Sequence, residues 1–288
     1  MLKKDGFIEI STGRVHYLQW GEGRQIHFLH ANGFCAGVYH PFVSHLGEGF
    51  EITASDIRGH GDSAPCDCIP LKQWEPFARD LKEFVTRVMT PPVIGAGHSL
   101  GAVVTLMASV LYPELFSRII LIDPVILPPR LLRFISVMRF LGQQHRFPLA
   151  RKARRRKILF QSRDEVFARF SNGRGLFKTW PEEYITAYLN CAVAENTDRS
   201  VALKCDPELE ARIYESVPSG VWKYVSRVSC PVLAVRGENS DTFLPAAAEK
   251  MGRSGKNISV VTVPGAGHFI PMERPRELAA VMLEFINS

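Results

Sequence analysis

The chain has 288 residues, 46% hydrophobic and 22% charged, and its 35 lysines and arginines against 29 acidic residues give a formal net charge of +6. This composition supports a sizeable core and excludes wholesale disorder. The sequence has no run of 18 uninterrupted apolar residues and no apolar signal-peptide core near its N-terminus. It therefore predicts a cytoplasmic protein without stable membrane insertion.

The first part of the chain alternates apolar strands with helical patterns. The first two predicted strands flank a Ser-Thr-Gly turn and form an antiparallel hairpin. In chain order, the predicted strands cover residues 7–10, 15–20, 25–30, 50–56, 93–96 and 118–123. Helices are predicted near 39–46, over 74–88 and from 102 onward.

The alternation stops near residue 124 and resumes near residue 230. The intervening residues are rich in helix formers, aromatic residues and arginine, and they contain no convincing strand. Two more strands follow, at 230–237 and 258–263, with helices at 245–251 and 274–286. Continuous apolar strands separated by helices indicate a mostly parallel sheet covered on both faces. We predict an eight-stranded α/β core from residues 1–124 and 230–288, with a helical cap inserted at 125–229.

The sequence Gly-His-Ser-Leu-Gly at residues 97–101 lies between a predicted strand and a predicted helix. A Gly-x-Ser-x-Gly motif at such a junction is typical of a nucleophile elbow, a sharp turn that exposes the serine. Side chains at the two flanking positions would collide there, which explains the glycines. Ser99 is therefore the predicted nucleophile.

A serine hydroxyl needs a base to accept its proton and an acid to orient that base. His268 follows the last strand in a glycine-rich turn and is the predicted base. Asp241, just past the preceding strand, is the preferred acid; Asp123, at the end of the strand after the elbow, and Glu238 are alternatives.

An oxyanion hole needs two N–H donors aimed at the carbonyl oxygen. The predicted donors are the main-chain amides of Leu100, next to the nucleophile, and of Asn32, in the loop after the third strand. Gly33 lets that backbone approach a substrate, and His30 is predicted to brace the loop. The predicted substrate-binding residues are apolar or aromatic: Phe34, Phe134, Met138, Trp180, Tyr184, Trp222 and Phe269.

These motifs resemble the α/β-hydrolase superfamily, in the branch of capped serine carboxylesterases. The resemblance covers nearly all of the core: the His-Ala-Asn-Gly loop at 30–33, the segment 56–63, the elbow, Asp241 and His268. It implies an α/β-hydrolase fold and a Ser99–His268–Asp241 triad. One departure is Ala31, which stands where the family usually has a glycine. A serine nucleophile also argues against dehalogenases and epoxide hydrolases of this fold.

The resulting prediction is a serine hydrolase that cleaves carboxylic esters of small to medium apolar acyl groups, without metal or organic cofactor. A C–C bond or lactone hydrolase with the same triad, and a hydrolase-like ligand sensor, remain alternatives. The basic run at 151–157 is interpreted as a solvated helix face rather than a nucleic-acid site. The six cysteines are interpreted as mostly reduced thiols. The partner is a small ester, and the protein is a monomer or homodimer.

Overall fold

An eight-stranded sheet organises the chain. The computed structural model describes residues 2–66, 71–173 and 175–288. The strands of this sheet are β1 (Leu2–Ile10), β2 (Gly13–Gly21), β3 (Arg24–Leu29), β4 (Phe50–Ser55), β5 (Val93–His98), β6 (Phe116–Ile122), β10 (Val232–Gly237) and β11 (Ile258–Val263). Their order across the sheet is β1-β2-β4-β3-β5-β6-β10-β11. The predicted mostly parallel sheet of eight strands is confirmed.

Only β2 breaks the parallel arrangement, since it pairs antiparallel with both β1 and β4. All other neighbours in the sheet pair in parallel. Parallel strands end at the same edge, so the loops after β3, β5, β6, β10 and β11 meet there. Such an edge is where open α/β sheets place their ligand sites.

Helices cover both faces of the sheet. The core helices are α1 (His40–Val43), α2 (Glu75–Val88), α3 (Leu100–Leu111), α10 (Pro245–Gly252), α11 (Ile270–Glu273) and α12 (Pro275–Asn287). Buried apolar side chains form two large clusters, one containing α12 and the other α2 and α3. Helix α3 is apolar all round and almost wholly buried, because it packs against both β5 and β6.

The residues between β6 and β10, numbers 123–231, are called the insertion here. Its helices are α4 (Pro129–Phe140), α5 (Pro148–Arg154), α6 (Arg163–Phe170), α7 (Glu182–Ala192), α8 (Pro207–Glu215) and α9 (Val221–Val225). It also contains a small antiparallel sheet of β7 (Leu159–Phe160), β8 (Val193–Glu195) and β9 (Val201–Leu203). The expectation that these residues contain no strand was therefore wrong, because strands of two or three residues are too short to leave a periodic pattern.

No helix in the described parts of the chain has the length and apolarity needed to cross a membrane.

Candidate active site

Ser99 stands at the turn between β5 and α3, with φ 56° and ψ −111°. This left-handed conformation is strained for a residue with a side chain. A Cβ on Gly101 would lie 2.2 Å from the Leu29 carbonyl oxygen, and one on Gly97 would lie 2.5 Å from the Gly101 backbone. The two glycines are thus required by close backbone approach, as the sequence predicts for a nucleophile elbow.

His268 lies between Ser99 and a buried carboxylate. Its Nε2 is 3.1 Å from Ser99 Oγ, and its Nδ1 is 2.6 Å from Asp123 Oδ2. A carboxylate can only accept a hydrogen bond, so Nδ1 carries the proton and Nε2 is free to accept the one from Ser99. The three side chains therefore form a complete nucleophile–base–acid chain.

The structure places Asp123, and not Asp241, beside His268. Asp123 directly follows β6 and is fully buried, whereas Asp241 is exposed and, among the described residues, its carboxylate is hydrogen-bonded only to the Thr242 hydroxyl. Strand β6 neighbours β5, and His98 pairs with Ile122 in register, so Asp123 follows its strand where Ser99 follows its own. The preference for Asp241 was wrong because it relied on the position of that residue in the chain, just past the strand before the last one. It did not take the register between β5 and β6 into account. The Glu238 carboxylate is not directed at His268 either, since it accepts the Gly265 amide.

Asp123 is itself held in place by its neighbours. It has a positive φ of 41°, and its carboxylate accepts the Gly237 amide at 3.0 Å and the Ser240 hydroxyl at 2.5 Å. Both donors follow or end β10. Sequence reasoning did not identify Ser240, because nothing local marks it as a partner of a residue 117 positions earlier.

The loop after β3 also lies against the turn that carries Ser99. His30 Nδ1 donates to the Ala31 carbonyl, and its Nε2 accepts the Ile57 amide, so it braces the loop as predicted. The Asn32 side chain donates to the Glu210 carbonyl at 3.1 Å, and Gly33 has φ +77°. Among the described hydrogen bonds, no acceptor takes the main-chain amide of Asn32 or Leu100. Both predicted oxyanion donors are therefore free to bind a substrate oxygen.

A second chain of hydrogen bonds connects this loop to the histidine. The Ala31 amide donates to the Tyr39 hydroxyl at 3.1 Å, and this hydroxyl donates to His98 Nδ1 at 2.8 Å. His98 Nε2 then donates to the His268 carbonyl at 2.9 Å. Burial, reinforced by the nearby His268, lowers the pKa of His98 well below its usual value, so the ring is neutral. The His268 carbonyl, which can only accept, then places the proton on Nε2. The sequence gives no signal for this chain beyond the presence of a histidine inside the elbow.

The insertion places aromatic rings beside the candidate triad. Phe34 and Phe269 contact Trp180 at ring-centre distances of 5.3 and 5.6 Å, and Phe269 contacts the His268 ring at 5.0 Å. The buried indole nitrogen of Trp180 has no hydrogen-bond partner among the residues described, and neither has the hydroxyl of the fully buried Tyr184. These four predicted substrate-binding residues lie in the same apolar cluster, which also contains Tyr188.

The other three predicted substrate-binding residues lie on or near α4. Phe134 is 57% exposed, so its ring faces outward, and Met138 is only half-buried. Trp222 donates from its indole to the Leu127 carbonyl and lines a surface groove beside α4. The structure does not bring these residues into the apolar cluster around Trp180. The apolar residues of α4 that turn inward are Leu132 and Ile135, which form its buried face.

A partly buried ion pair lies next to the loop after β3 at residues 30–34, called the oxyanion loop here. Arg156 donates to Glu210 Oε1 at 2.7 Å, while the buried Glu210 Oε2 has no partner among the described residues. A Cβ on Gly33 would lie 3.1 Å from Glu210 Oε1 and 3.5 Å from an Arg156 guanidinium nitrogen. Burial raises the pKa of Glu210, and the facing guanidinium opposes this shift. By sequence, Arg156 belongs to the basic run that was predicted to be a solvated helix face, and no local pattern indicates its position beside Gly33 and Glu210.

A disulfide joins the core to the insertion. Cys35, in the loop after β3, is bonded to Cys191 in α7, 156 residues later. Gly37 permits this approach, since a Cβ there would lie 2.8 Å from the Cys191 Cβ. The expectation of reduced thiols was wrong for this pair, and the distant pairing depends on how the insertion folds back. Cys205 and Cys230 are free thiols.

Comparison with known proteins gives consistent matches. Residues 28–281 match the model of the Alpha/beta hydrolase family. The chain is 24% identical over 293 residues to a 2-(acetamidomethylene)succinate hydrolase from Mesorhizobium japonicum, covering 100% of this chain and 98% of the relative. It is 28% identical over 119 residues to an (E)-2-((N-methylformamido)methylene)succinate hydrolase from Acinetobacter baylyi, covering 41% of this chain and 44% of the relative.

Solved structures share the fold. A structure of E-2-(acetamidomethylene)succinate hydrolase superposes with a TM-score of 0.82 and 22% identity, with 100% of both chains covered. An esterase from Mycobacterium tuberculosis gives a TM-score of 0.76 and 18% identity, covering 100% of this chain and 93% of the esterase.

Proposed function

Because the chain belongs to the alpha/beta hydrolase family, we propose that it is a serine hydrolase whose catalytic residues are Ser99, His268 and Asp123. The observation that carries this proposal is the unbroken path from Ser99 Oγ through His268 to the buried Asp123 carboxylate. This path supplies a nucleophile, a base in the required tautomer and a charge that stabilises the protonated base.

In the proposed reaction, Ser99 Oγ attacks the carbonyl carbon while His268 Nε2 takes the hydroxyl proton. The negative charge that develops on the carbonyl oxygen is stabilised by the amides of Leu100 and Asn32. Collapse of this intermediate expels the leaving group, which takes the proton from His268. A water then repeats the attack, with His268 as its base, and releases the acid from the serine.

We propose carboxylic esters as the first substrate class, with the insertion acting as a cap over the acyl group. The Phe34, Trp180 and Phe269 rings favour an uncharged acyl chain by apolar contact. The test is a panel of p-nitrophenyl esters from acetyl to lauroyl, together with a fluorophosphonate probe. Wild-type protein should turn over many times and label at Ser99, and Ser99→Ala should lose both.

Ser109→Ala, a buried hydroxyl elsewhere on α3, is the matched control and should retain turnover. Retained turnover in Ser99→Ala would contradict the mechanism. Labelling of wild-type protein without turnover on any substrate would favour a ligand sensor.

A second substrate class is favoured by the polar groups around the oxyanion loop. Arg156 uses one N–H on Glu210 and has further donors beside Gly33, while the Trp180 indole lacks a partner. A guanidinium with free donors suits a substrate carboxylate. Full-length similarity to a 2-(acetamidomethylene)succinate hydrolase supports such an acylaminomethylene dicarboxylate.

The two substrate classes can be separated with one substitution. Arg156→Gln should lower kcat/KM for 2-(acetamidomethylene)succinate about 10- to 100-fold, the loss expected for one charge-assisted hydrogen bond. The loss on an uncharged p-nitrophenyl ester should be much smaller, since the substitution leaves the buried Glu210 carboxylate without its partner but removes no contact with that substrate. Arg155→Gln, its exposed neighbour, is the matched control. Equal activity of Arg156→Gln and wild type on the dicarboxylate would exclude Arg156 as a substrate-binding residue.

A further inference from the structure

The insertion contains a long segment with one sign of charge. Between Asp123 and Asp164 the sequence has eleven lysines and arginines and no aspartate or glutamate. Arg154, Arg156 and Lys157 pair with acidic residues from elsewhere. The remaining exposed cations have no ion-pair partner among the described residues; these are Arg130, Arg133, Arg146, Arg151, Lys152 and Arg155.

The same segment exposes most of the protein's outward-facing apolar side chains. Of the eleven large hydrophobic residues that are exposed in the described chain, eight lie between residues 131 and 159. Helix α4 carries a row of four at three-residue spacing, Leu131, Phe134, Val137 and Phe140, which we call the α4 ridge. Phe140 is 89% exposed and Val137 is 56% exposed. Each three-residue step turns the next side chain by about 300° around the helix axis, so neighbours in the row lie side by side and the row winds half-way round α4 on its exposed side.

The α4 ridge faces outward because the other side of the helix is fixed. Leu132 and Ile135 are buried, and the Arg139 guanidinium donates to the carbonyls of Val217 and Lys72. The ridge cannot turn inward without breaking these contacts. It is therefore a stable exposed surface, and exposed apolar patches of this kind mark interaction sites.

A cationic groove lies on the flank of α4. It has a volume of about 490 Å³ and is lined by the cations Arg133 of α4, Lys223 of α9 and Lys250 of α10, by Ser136 and Ser219, and by Pro129, Leu132, Gly220 and Trp222. The lysine and arginine side chains provide donors for a phosphate group. An apolar ridge beside a cationic groove matches the two zones of a phospholipid layer, its acyl boundary and its headgroups.

We propose that the α4 ridge and this groove dock the protein on the surface of an anionic phospholipid bilayer. Amphipathic helices with Phe and Leu on one face and arginines beside it lie in the plane of the interface, and attraction to anionic lipids adds to the apolar contact. The positive charge of this surface favours an anionic bilayer over a second copy of the chain, because two copies would bring two faces of the same sign together. Nucleic acid would satisfy the cations but leave the ridge without an apolar partner. The proposal is independent of the role of Ser99.

The test is co-sedimentation with vesicles of phosphatidylcholine alone and of phosphatidylcholine mixed with phosphatidylglycerol. Wild-type protein should bind only the anionic vesicles, and added salt should weaken binding. Replacing the three groove cations (Arg133→Gln, Lys223→Gln, Lys250→Gln) should weaken partitioning roughly a hundredfold, since each cation near an anionic surface contributes about 1 kcal/mol. Val137→Ser with Phe140→Ser should weaken it at least about tenfold.

Leu111→Ser with Lys256→Gln changes an exposed apolar side chain and an exposed cation outside the insertion, and it should bind like wild type. Unfolding temperatures establish that each variant is folded. No binding to anionic vesicles, or equal loss in the control, would overturn the proposal. So would a dimer in sedimentation velocity that Val137→Ser with Phe140→Ser dissociates, or equal binding to duplex DNA at physiological salt.

Discussion

Replacing Asp123 by asparagine is the sharpest test of the proposed acid. The substitution keeps the shape of the side chain, but its amide can donate to His268 Nδ1, where the carboxylate can only accept. The imidazole would then carry its proton on Nε2, which faces Ser99 Oγ at 3.1 Å and could no longer act as a base. The loss should therefore appear in kcat, not only in KM.

The size of the effect follows from the environment of Asp123. The carboxylate is fully buried, and its 2.6 Å contact with Nδ1 stabilises the imidazolium where no solvent can replace it. Loss of an equivalent carboxylate in serine hydrolases lowers kcat by about 10⁴-fold. This loss corresponds to about 5 kcal/mol in activation free energy.

The assay compares initial rates of p-nitrophenyl ester hydrolysis by Asp123→Asn and Asp241→Asn. Asp241→Asn should be within about threefold of wild type, because its exposed carboxylate is hydrogen-bonded only to Thr242 in the described part of the chain. Denaturant unfolding is measured for both variants, since Asp123 also accepts the Gly237 amide. A folded Asp123→Asn protein with wild-type kcat, or loss of activity in Asp241→Asn alone, would refute the assignment.

Three further changes test the surroundings of the triad. Tyr39→Phe removes the hydroxyl that lies between the Ala31 amide and His98. It should lower kcat about tenfold, the loss expected for one hydrogen bond, with KM little changed. A loss of folding without any change in the kcat of the remaining native protein would contradict this role. Gly101→Ala places a methyl against the Leu29 carbonyl and should cost at least 2 kcal/mol, roughly, in the free energy of unfolding measured by urea titration. Cys191→Ser should lower that free energy by up to about 5 kcal/mol, the chain-entropy value for so long a loop, and dithiothreitol should destabilise wild type more than the variant.

The elbow and the sheet could be predicted because their signals are local. Close backbone contacts around Ser99 permit only glycine at positions 97 and 101, and buried parallel strands read as continuous apolar runs. Both patterns lie within a few residues of the structure they specify. The expected hairpin, the eight strands and the site's position at the carboxyl edge of the sheet followed from them.

The acid could not be decided in the same way. Chain order allows any carboxylate between Ser99 and His268 that follows a strand, and both Asp123 and Asp241 satisfy it. What separates them is which strand lies beside β5 and in what register, and these are properties of the assembled sheet. Asp123 also adopts a positive φ, which a propensity argument disfavours. A strained residue at the end of a central strand is a sign of function that becomes visible only in the fold.

The insertion was the least predictable part, because its helices serve two surfaces at once. Arg156 belongs by sequence to a run of solvated cations, yet the Glu210 carboxylate holds it beside the oxyanion loop. On α4, the apolar spacing satisfies both a buried inner face and the outward α4 ridge. Periodicity counts apolar residues without showing which neighbour each one meets. The proposed roles of Arg156 and of the α4 ridge are therefore separable: substitution of Arg156 should affect activity on the dicarboxylate, and substitutions on the ridge should affect vesicle binding.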